Sequence, residues 1–256
     1  MYKLVLNTNV KTNRTVILYH GWTGDVENVK ELAFEIMDKQ KVNVICPRLT
    51  GHNGTADDFV AATAKDWIRD AKRTYEEAIK EGHDIVGIGG LSMGALLATI
   101  VADEFGIRTI ILASPAFYNR DKMIFFTPFV SLFIKKIKLR KPNEFMENSH
   151  FTDKDYVKNQ TEVYNRYIWI KPGAELLKIQ RIARRKYKEI FGNAVVAIYS
   201  LEDEAVGNRS WEFMKTANRT LDLRVAVLKT GNHELFNDFR VSDTACEEVN
   251  KRLKQL

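Results

Sequence analysis

The sequence predicts an α/β protein with a mostly parallel central sheet and helices on both faces. Short β-branched apolar segments alternate with longer amphipathic segments, which is the pattern of strands joined by crossover helices. The 256 residues and the hydrophobic content of 45% allow one large domain with a substantial core. One long interval departs from the alternation and indicates an insertion.

The strands and helices follow from this alternation. Strands are expected at Lys3–Leu6, Thr15–Tyr19, Val42–Cys46, Asp84–Gly89, Thr109–Ala113, Ala194–Tyr199 and Leu223–Leu228. Helices are expected at Val26–Lys39, Lys65–Lys80, Met93–Phe105, Asn208–Asn218 and Asp238–Lys254. The Lys65–Lys80 segment shows the helical period best, because Ile68, Ala71 and Tyr75 fall on one stripe.

The interval without this rhythm lies between the strands that end near Ala113 and begin near Ala194. We assign residues 116–190 to a mainly helical lid, and residues 1–115 and 191–256 to the core. The lid has 17 Lys and Arg against 8 Asp and Glu, whereas the rest of the chain has 22 against 25. The net charge of +6 therefore belongs to the lid.

Several classes of partner and location are not favoured. No apolar run reaches the length of a signal peptide or a membrane span. Cys46 and Cys246 fit no metal-ligand spacing, so we expect two reduced thiols in a cytoplasmic protein. We also expect no metal or organic cofactor. The charge is local and no groove-reading or base-stacking motif occurs, so no nucleic-acid partner is expected.

The strongest chemical signal is the segment Gly90-Leu91-Ser92-Met93-Gly94. It matches G-x-S-x-G and lies between a predicted strand and a predicted helix, as a nucleophile elbow requires. Glycines on both sides of the serine leave room for the neighbouring strand and helix to approach. We therefore predict Ser92 as a nucleophile.

A serine hydroxyl is a poor nucleophile and needs a base held in the right tautomer. His233 directly follows the last predicted strand, where the base of such a site is expected. The imidazole must be neutral to accept the serine proton, and its ordinary pKa is about 6.5. We predict His233 as the general base.

The acid that orients the histidine is expected in the loop after the preceding strand, which offers Glu202, Asp203 and Glu204. Asp203 is our choice because it leaves the two glutamates as solvated loop charges. Spacing alone leaves either glutamate open as the acid. Asp222 and Asp238 are expected at the surface.

An oxyanion needs hydrogen-bond donors, usually backbone N–H groups. The first predicted donor is the N–H of Met93, the residue after the nucleophile. The second is the N–H of Trp22, because His20-Gly21-Trp22-Thr23-Gly24 follows an early strand where the other half of the oxyanion hole belongs. His20 is expected to fix this loop rather than to act as a second base.

Taken together, these segments resemble the bacterial carboxylesterase and monoacylglycerol lipase branch of the α/β-hydrolases. The resemblance rests on five motifs in the family's order, covering nearly the whole chain outside the lid. They are His20-Gly21-Trp22-Thr23-Gly24, Pro47-Arg48-Leu49-Thr50-Gly51-His52, Gly90-Leu91-Ser92-Met93-Gly94, Asp203-Glu204-Ala205-Val206 and Gly231-Asn232-His233. The fourth motif favours Asp203 over its neighbours. Ala95, Asn53 and Asn232 depart from the family pattern and leave substrate preference open.

The resemblance implies an α/β-hydrolase fold and a serine esterase that cleaves carboxylic esters through an acyl-enzyme. A thioesterase, acyltransferase or peptidase with the same triad stays open, because the residues fix the nucleophile and not the leaving group. A non-catalytic module that binds a hydrophobic ligand is a further alternative.

The lid invites a prediction of its own, because apolar residues such as Phe125 and Phe129 precede a run of lysines. We expect its aromatic side chains to form the acyl-binding wall and its basic side chains to face outward. The basic face is then either merely solvated or weakly associated with anionic lipid surfaces.

Overall fold

A computed structural model describes residues 2–141 and 149–253, and within them the chain forms a seven-stranded sheet and a two-stranded sheet. The strands are β1 (Lys3–Leu6), β2 (Arg14–Tyr19), β3 (Asn43–Pro47), β4 (Asp84–Leu91), β5 (Thr109–Ala113), β6 (Lys136–Lys138), β7 (Tyr167–Trp169), β8 (Ala194–Ser200) and β9 (Asp222–Leu228). The large sheet has the order β1-β3-β2-β4-β5-β8-β9. β1 is antiparallel to β3, and the other neighbours are parallel.

Helices cover both faces of this sheet. The helices are α1 (Lys30–Gln40), α2 (Ala56–Ala61), α3 (Ala64–Lys80), α4 (Met93–Phe105), α5 (Thr127–Val130), α6 (Lys154–Glu162), α7 (Ile170–Glu189), α8 (Asn208–Ala217) and α9 (Ser242–Arg252). Of these, α3, α4 and α7 lie on one face of the sheet, and α1 and α9 lie on the other. Short 3-10 helices lie at Val26–Asn28, Lys122–Phe126 and Tyr164–Arg166.

Two apolar clusters form the core, one on each face. In β2, Ile17 and Tyr19 belong to the cluster under α3, α4 and α7, whereas Val16 and Leu18 belong to the cluster under α1 and α9. Successive side chains of a strand point to opposite faces, so a strand buried on both faces is apolar at consecutive positions. The predicted fold class is confirmed.

Most predicted boundaries lie within one or two residues of the observed ones, and the larger differences concern three helices. The segment predicted as one helix from Val26 is a 3-10 turn followed by α1. The last helix begins at Ser242 instead of Asp238, and the predicted end at Lys254 lies outside the described residues. α2 was not predicted, because it has only six residues; a capping box formed by Thr55 and Asp58 starts it.

The insertion between β5 and β8 contains α5, α6, α7 and the antiparallel pair β6–β7. α7 buries Ile179, Ala183 and Tyr187 in the same cluster as α4, so its last part is continuous with the helical layer of the core. The division into a core and a lid at residues 116–190 stays a prediction. No helix in the described part of the chain is long and apolar enough to cross a membrane.

The aromatic side chains of the insertion form two groups. Tyr164 and Trp169 are buried against Phe59 of α2, with ring centroids 5.2 and 5.0 Å away. The phenylalanines of the first part are exposed; they are Phe125, Phe126, Phe129 and Phe133. The expectation that these four line an acyl-binding wall stays a prediction.

Candidate active site

The predicted nucleophile lies at a sharp turn between β4 and α4. Ser92 has φ 57° and ψ −113°, and its N–H donates to the Ala113 carbonyl oxygen of β5 at 2.8 Å. A Cβ at Gly90 or Gly94 would overlap the Tyr19 carbonyl oxygen of β2. The flanking glycines are therefore a steric requirement, and the strained serine is held at the carboxyl edge of the sheet.

Asp203 and His233 meet at the same edge. His233 Nδ1 is 2.8 Å from Asp203 Oδ2 and 3.0 Å from Oδ1. Asp203 Oδ1 also accepts the N–H groups of Ala205 and Val206, at 2.9 and 2.8 Å. Of the three carboxylates that the loop offered, Asp203 is therefore the one that faces the histidine. The hydrogen bonds of the described residues include none between Ser92 Oγ and the His233 ring.

Burial and charge act in opposite directions on His233. Burial lowers the pKa of its imidazole, but the charge and the hydrogen bond of Asp203 outweigh burial and raise the pKa to about 9. Burial raises the pKa of Asp203, whereas His233 and the backbone donors bring it below its ordinary value. The expectation of an ordinary pKa for His233 thus needs correction, because the sequence does not reveal how closely the two groups pair.

The backbone beside Ser92 offers two N–H groups. A Cβ at Gly21 would lie 3.5 Å from Ser92 Cβ, so the loop that carries Trp22 runs directly against the serine. Met93 is the first residue of α4, where an N–H has no partner within its helix. Among the described residues, neither the Trp22 N–H nor the Met93 N–H has an acceptor.

His20 holds the loop that carries Trp22 through hydrogen bonds of both ring nitrogens. Its Nε2 accepts the Leu49 N–H at 3.1 Å, which leaves Nδ1 to donate to the Gly21 carbonyl oxygen at 2.9 Å. Both ring nitrogens are occupied in the neutral form, and burial lowers the pKa of the imidazole. This geometry agrees with the prediction of a structural histidine.

Glu234 is a buried residue of the site that the sequence analysis missed. Its Oε2 accepts Asn28 Nδ2 at 2.8 Å, and Asn28 also donates to the hydroxyl oxygen of Tyr156 at 3.0 Å. Burial raises the pKa of Glu234 to about 7. Its position next to His233 in the sequence was the one available signal.

Asp238 corrects a second expectation. It is fully buried instead of exposed, accepts the Asn232 N–H at 2.7 Å and forms an ion pair with Arg240 at 2.5 Å. It thereby closes the loop that holds His233. Asp222 is exposed, as expected. The two cysteines are free and buried, and no group of three potential metal ligands occurs among the described residues.

A comparison with protein families decides the relationship. The model of the family described as serine aminopeptidase, S33 (Hydrolase_4) matches residues 10–240. The chain belongs to this family. Among curated proteins, the chain is similar to a carboxylesterase of Bacillus subtilis (strain 168), with 22% identity over 114 residues. That alignment covers 44% of this chain and 46% of the relative, so the chain spans about half the length of this curated relative.

Solved structures resemble this S33 family member over nearly its whole length. A structure from the metagenome-derived lipolytic enzymes LipS and LipT has a TM-score of 0.76 at 20% identity and covers 97% of both chains. A soluble variant of monoglyceride lipase from Saccharomyces cerevisiae has a TM-score of 0.76 at 13% identity, covering 98% of this chain and 92% of its own. A monoacylglycerol lipase of Paleococcus ferrophilus has 0.70 at 17%, covering 98% and 99%. The fold is that of the α/β-hydrolases.

Proposed function

We propose that this chain hydrolyses carboxylic esters through an acyl-enzyme on Ser92, with His233 as general base and Asp203 as the acid that orients it. The main support is the 2.8 Å contact between His233 Nδ1 and Asp203 Oδ2, at the same sheet edge as the elbow serine. The contact leaves Nε2 as the proton acceptor.

In the first half of the reaction, Ser92 Oγ attacks the ester carbonyl carbon while His233 Nε2 takes the hydroxyl proton. The carbonyl oxygen becomes an oxyanion, which the free N–H groups of Trp22 and Met93 stabilise. The bond to the alcohol oxygen then breaks, and His233 gives its proton to the leaving alcohol. Water attacks the acyl-enzyme in the same way, which releases the carboxylic acid and restores Ser92.

Among the substrates that a Ser-His-Asp triad can cleave, the names of the similar proteins favour an ester. They are a carboxylesterase, lipolytic enzymes and monoacylglycerol lipases. The family description names an aminopeptidase, and a thioesterase domain from the curacin biosynthetic pathway has the same fold at a TM-score of 0.62. Amide and thioester hydrolysis are therefore the alternatives that a test has to separate.

The test compares matched substrates in which one acyl group is presented as an oxygen ester, a thioester and an amide. We expect the highest kcat/KM for the oxygen ester. A panel of aryl esters with acyl chains of two to sixteen carbons then defines the preferred acyl length. Faster turnover of the amide would move the proposal to a peptidase. Binding of the esters without turnover would indicate a module that binds hydrophobic ligands.

The nucleophile is tested by Ser92→Ala, which we expect to lower ester turnover by about 10⁶-fold. The protein should stay folded, because the substitution removes only a hydroxyl. Comparable turnover in a folded Ser92→Ala protein would refute the assignment of Ser92.

We also propose that the insertion associates weakly with anionic lipid surfaces through an exposed apolar patch. The patch consists of Met123, Phe126, Phe129, Leu132 and Phe133, whose exposed fractions range from 63% to 76%. Contiguous apolar side chains at the surface of a soluble protein mark an interaction site. Exposed cations lie beside them, at Lys122, Lys135, Lys138, Arg140 and Lys141.

Aromatic side chains insert at the headgroup level of a bilayer, and each nearby cation adds about 1 kcal/mol on an anionic surface. We therefore expect salt-sensitive co-sedimentation with anionic vesicles and little with neutral ones. Phe129→Ser/Phe133→Ser should abolish it. The matched control is Phe191→Ser/Phe239→Ser, which removes two phenylalanines that are 82% and 66% exposed outside the patch.

Equal loss in both double variants would refute the patch. No binding to either vesicle, with normal turnover of soluble esters, would leave the basic face as a merely solvated surface.

A further inference from the structure

The loop that carries Trp22 is held in a conformation that its own sequence does not favour. Thr23 has φ 63°, in the left-handed region that a β-branched residue rarely adopts. The next residue is Gly24, and the Asn28 carboxamide fills the space where a Cβ at that position would lie. Such a conformation persists only where the surroundings impose it.

Helix α6 of the insertion supplies part of these surroundings. Gln160 is buried, and its Nε2 donates to the Thr23 carbonyl oxygen at 2.6 Å. Tyr156 lies one turn earlier on the same helix, and its hydroxyl oxygen accepts Asn28 Nδ2 at 3.0 Å. α6 thus contacts both ends of the loop, at Thr23 and at Asn28.

Asn28 connects Tyr156 of α6 to the backbone of the loop that carries Trp22. It is fully buried, and its Oδ1 accepts the Asp25 N–H at 3.1 Å while its Nδ2 donates to Tyr156 and Glu234. The amide therefore ties the loop to α6 and to the segment that holds His233. A shift of α6 would break the Gln160 contact with Thr23 and the Tyr156 contact with Asn28 together.

We propose that α6 positions the Trp22 N–H for the oxyanion, and that Gln160 is a positioning residue that acts through the strained Thr23. This inference rests on the proposed function, because it concerns the donor that stabilises the ester oxyanion. The insertion then takes part in the reaction by holding the loop that carries Trp22, the oxyanion loop. The site is complete only while α6 contacts this loop.

The test uses Gln160→Met, which keeps the length of the side chain and removes its N–H donors. We expect kcat for a soluble aryl ester to fall by about 10- to 100-fold with KM nearly unchanged, because a donor is misplaced in the transition state. Labelling of Ser92 by an organophosphonate should slow by a similar factor, since the phosphonyl oxygen of the reagent occupies the same oxyanion hole. The midpoint of the pH profile should not move, because His233 and Asp203 are untouched.

The matched control is Asn159→Leu. Asn159 is the neighbour of Gln160 on α6, and its Nδ2 donates at 3.0 Å to the Gly54 carbonyl oxygen, outside the oxyanion loop. This variant loses a hydrogen bond of the same kind between α6 and the core, and its kcat should stay within about twofold of the wild type. If Gln160→Met does not fold, Gln160→Ala gives the same test, because it removes the donors without placing a new polar group against the Thr23 carbonyl oxygen.

Equal kcat losses in the Gln160 and Asn159 variants would overturn the inference and leave the proposed function intact, provided that the wild type turns over the ester and Ser92→Ala does not. A change confined to KM would also overturn it. A wild type that neither hydrolyses the ester nor reacts with the phosphonate would overturn both proposals.

Discussion

The sheet edge around Ser92 and the segment 122–141 of the insertion differ in how their side chains are held. Ser92, Asp203 and His233 are each less than one tenth exposed, and hydrogen bonds or close backbone contacts restrain all three. In the segment, the large apolar side chains are mostly in solvent, and Phe133 is 76% exposed.

This difference separates two requirements of the proposed function. A nucleophile and its base must be oriented before the substrate arrives, so their surroundings are fixed. A surface that binds lipid must be accessible to it, so its apolar side chains are exposed to solvent. α6 lies between the two, because it belongs to the insertion and contacts the loop beside Ser92.

The sharpest test of the fixed region is Asp203→Asn. The amide would favour the wrong tautomer of His233, and we expect kcat to fall by about 10⁴-fold. Glu202→Gln and Glu204→Gln are the matched controls, because among the described residues the hydrogen bonds of the His233 ring go to Asp203 and to neither glutamate. Each should stay within about threefold of the wild type. Steady-state turnover of an aryl ester measures all three. A larger loss in Glu202→Gln than in Asp203→Asn would transfer the acid role to Glu202.

A smaller effect separates buried from exposed phenylalanines. Phe59 is fully buried and contacts the rings of Trp67, Tyr164 and Trp169, so Phe59→Ala should lower the free energy of unfolding by about 3–5 kcal/mol. Phe129→Ala should change it by about 0.5 kcal/mol or less, because that ring is 71% exposed. Denaturant unfolding of both variants measures the two changes in the free energy of unfolding. Equal losses would mean that Phe129 packs in the folded protein.

The pH dependence of kcat/KM is the smallest expected effect, a change of about tenfold per pH unit. The pKa of His233 is raised to about 9, and the base must be neutral, so kcat/KM should fall as the pH drops below a midpoint that lies above 6.5. Asp203→Asn should move the midpoint to lower pH, because the charge that raises the pKa is gone and burial lowers it. A midpoint at or below 6.5 in the wild type would contradict the strength of the Asp203–His233 pairing.

Much of the fold could be predicted because it rests on local rules. The strands of the large sheet follow from apolar runs, and the elbow at Ser92 follows from backbone sterics that only glycines at positions 90 and 94 satisfy. The order of Ser92, Asp203 and His233 along the chain also placed the residues that the structure brings to one sheet edge.

The remainder depends on contacts between distant segments. The contact that buried Glu234 makes with Asn28, the Gln160 contact with Thr23 and the raised pKa of His233 all depend on residues far apart in the sequence. The exposure of the phenylalanines in segment 122–141 was likewise not evident from the sequence. Helical spacing shows that a face is apolar but not whether a partner covers it.

The central claim is that Ser92 is the nucleophile of an ester hydrolase. It is tested most directly by treating the intact protein with a fluorophosphonate and locating the adduct by mass spectrometry, alongside ester turnover. The proposal predicts one adduct, on the peptide that contains Ser92, with turnover lost in proportion to labelling and no adduct in Ser92→Ala. An adduct on another residue, or full ester turnover in the protein labelled at Ser92, would contradict it.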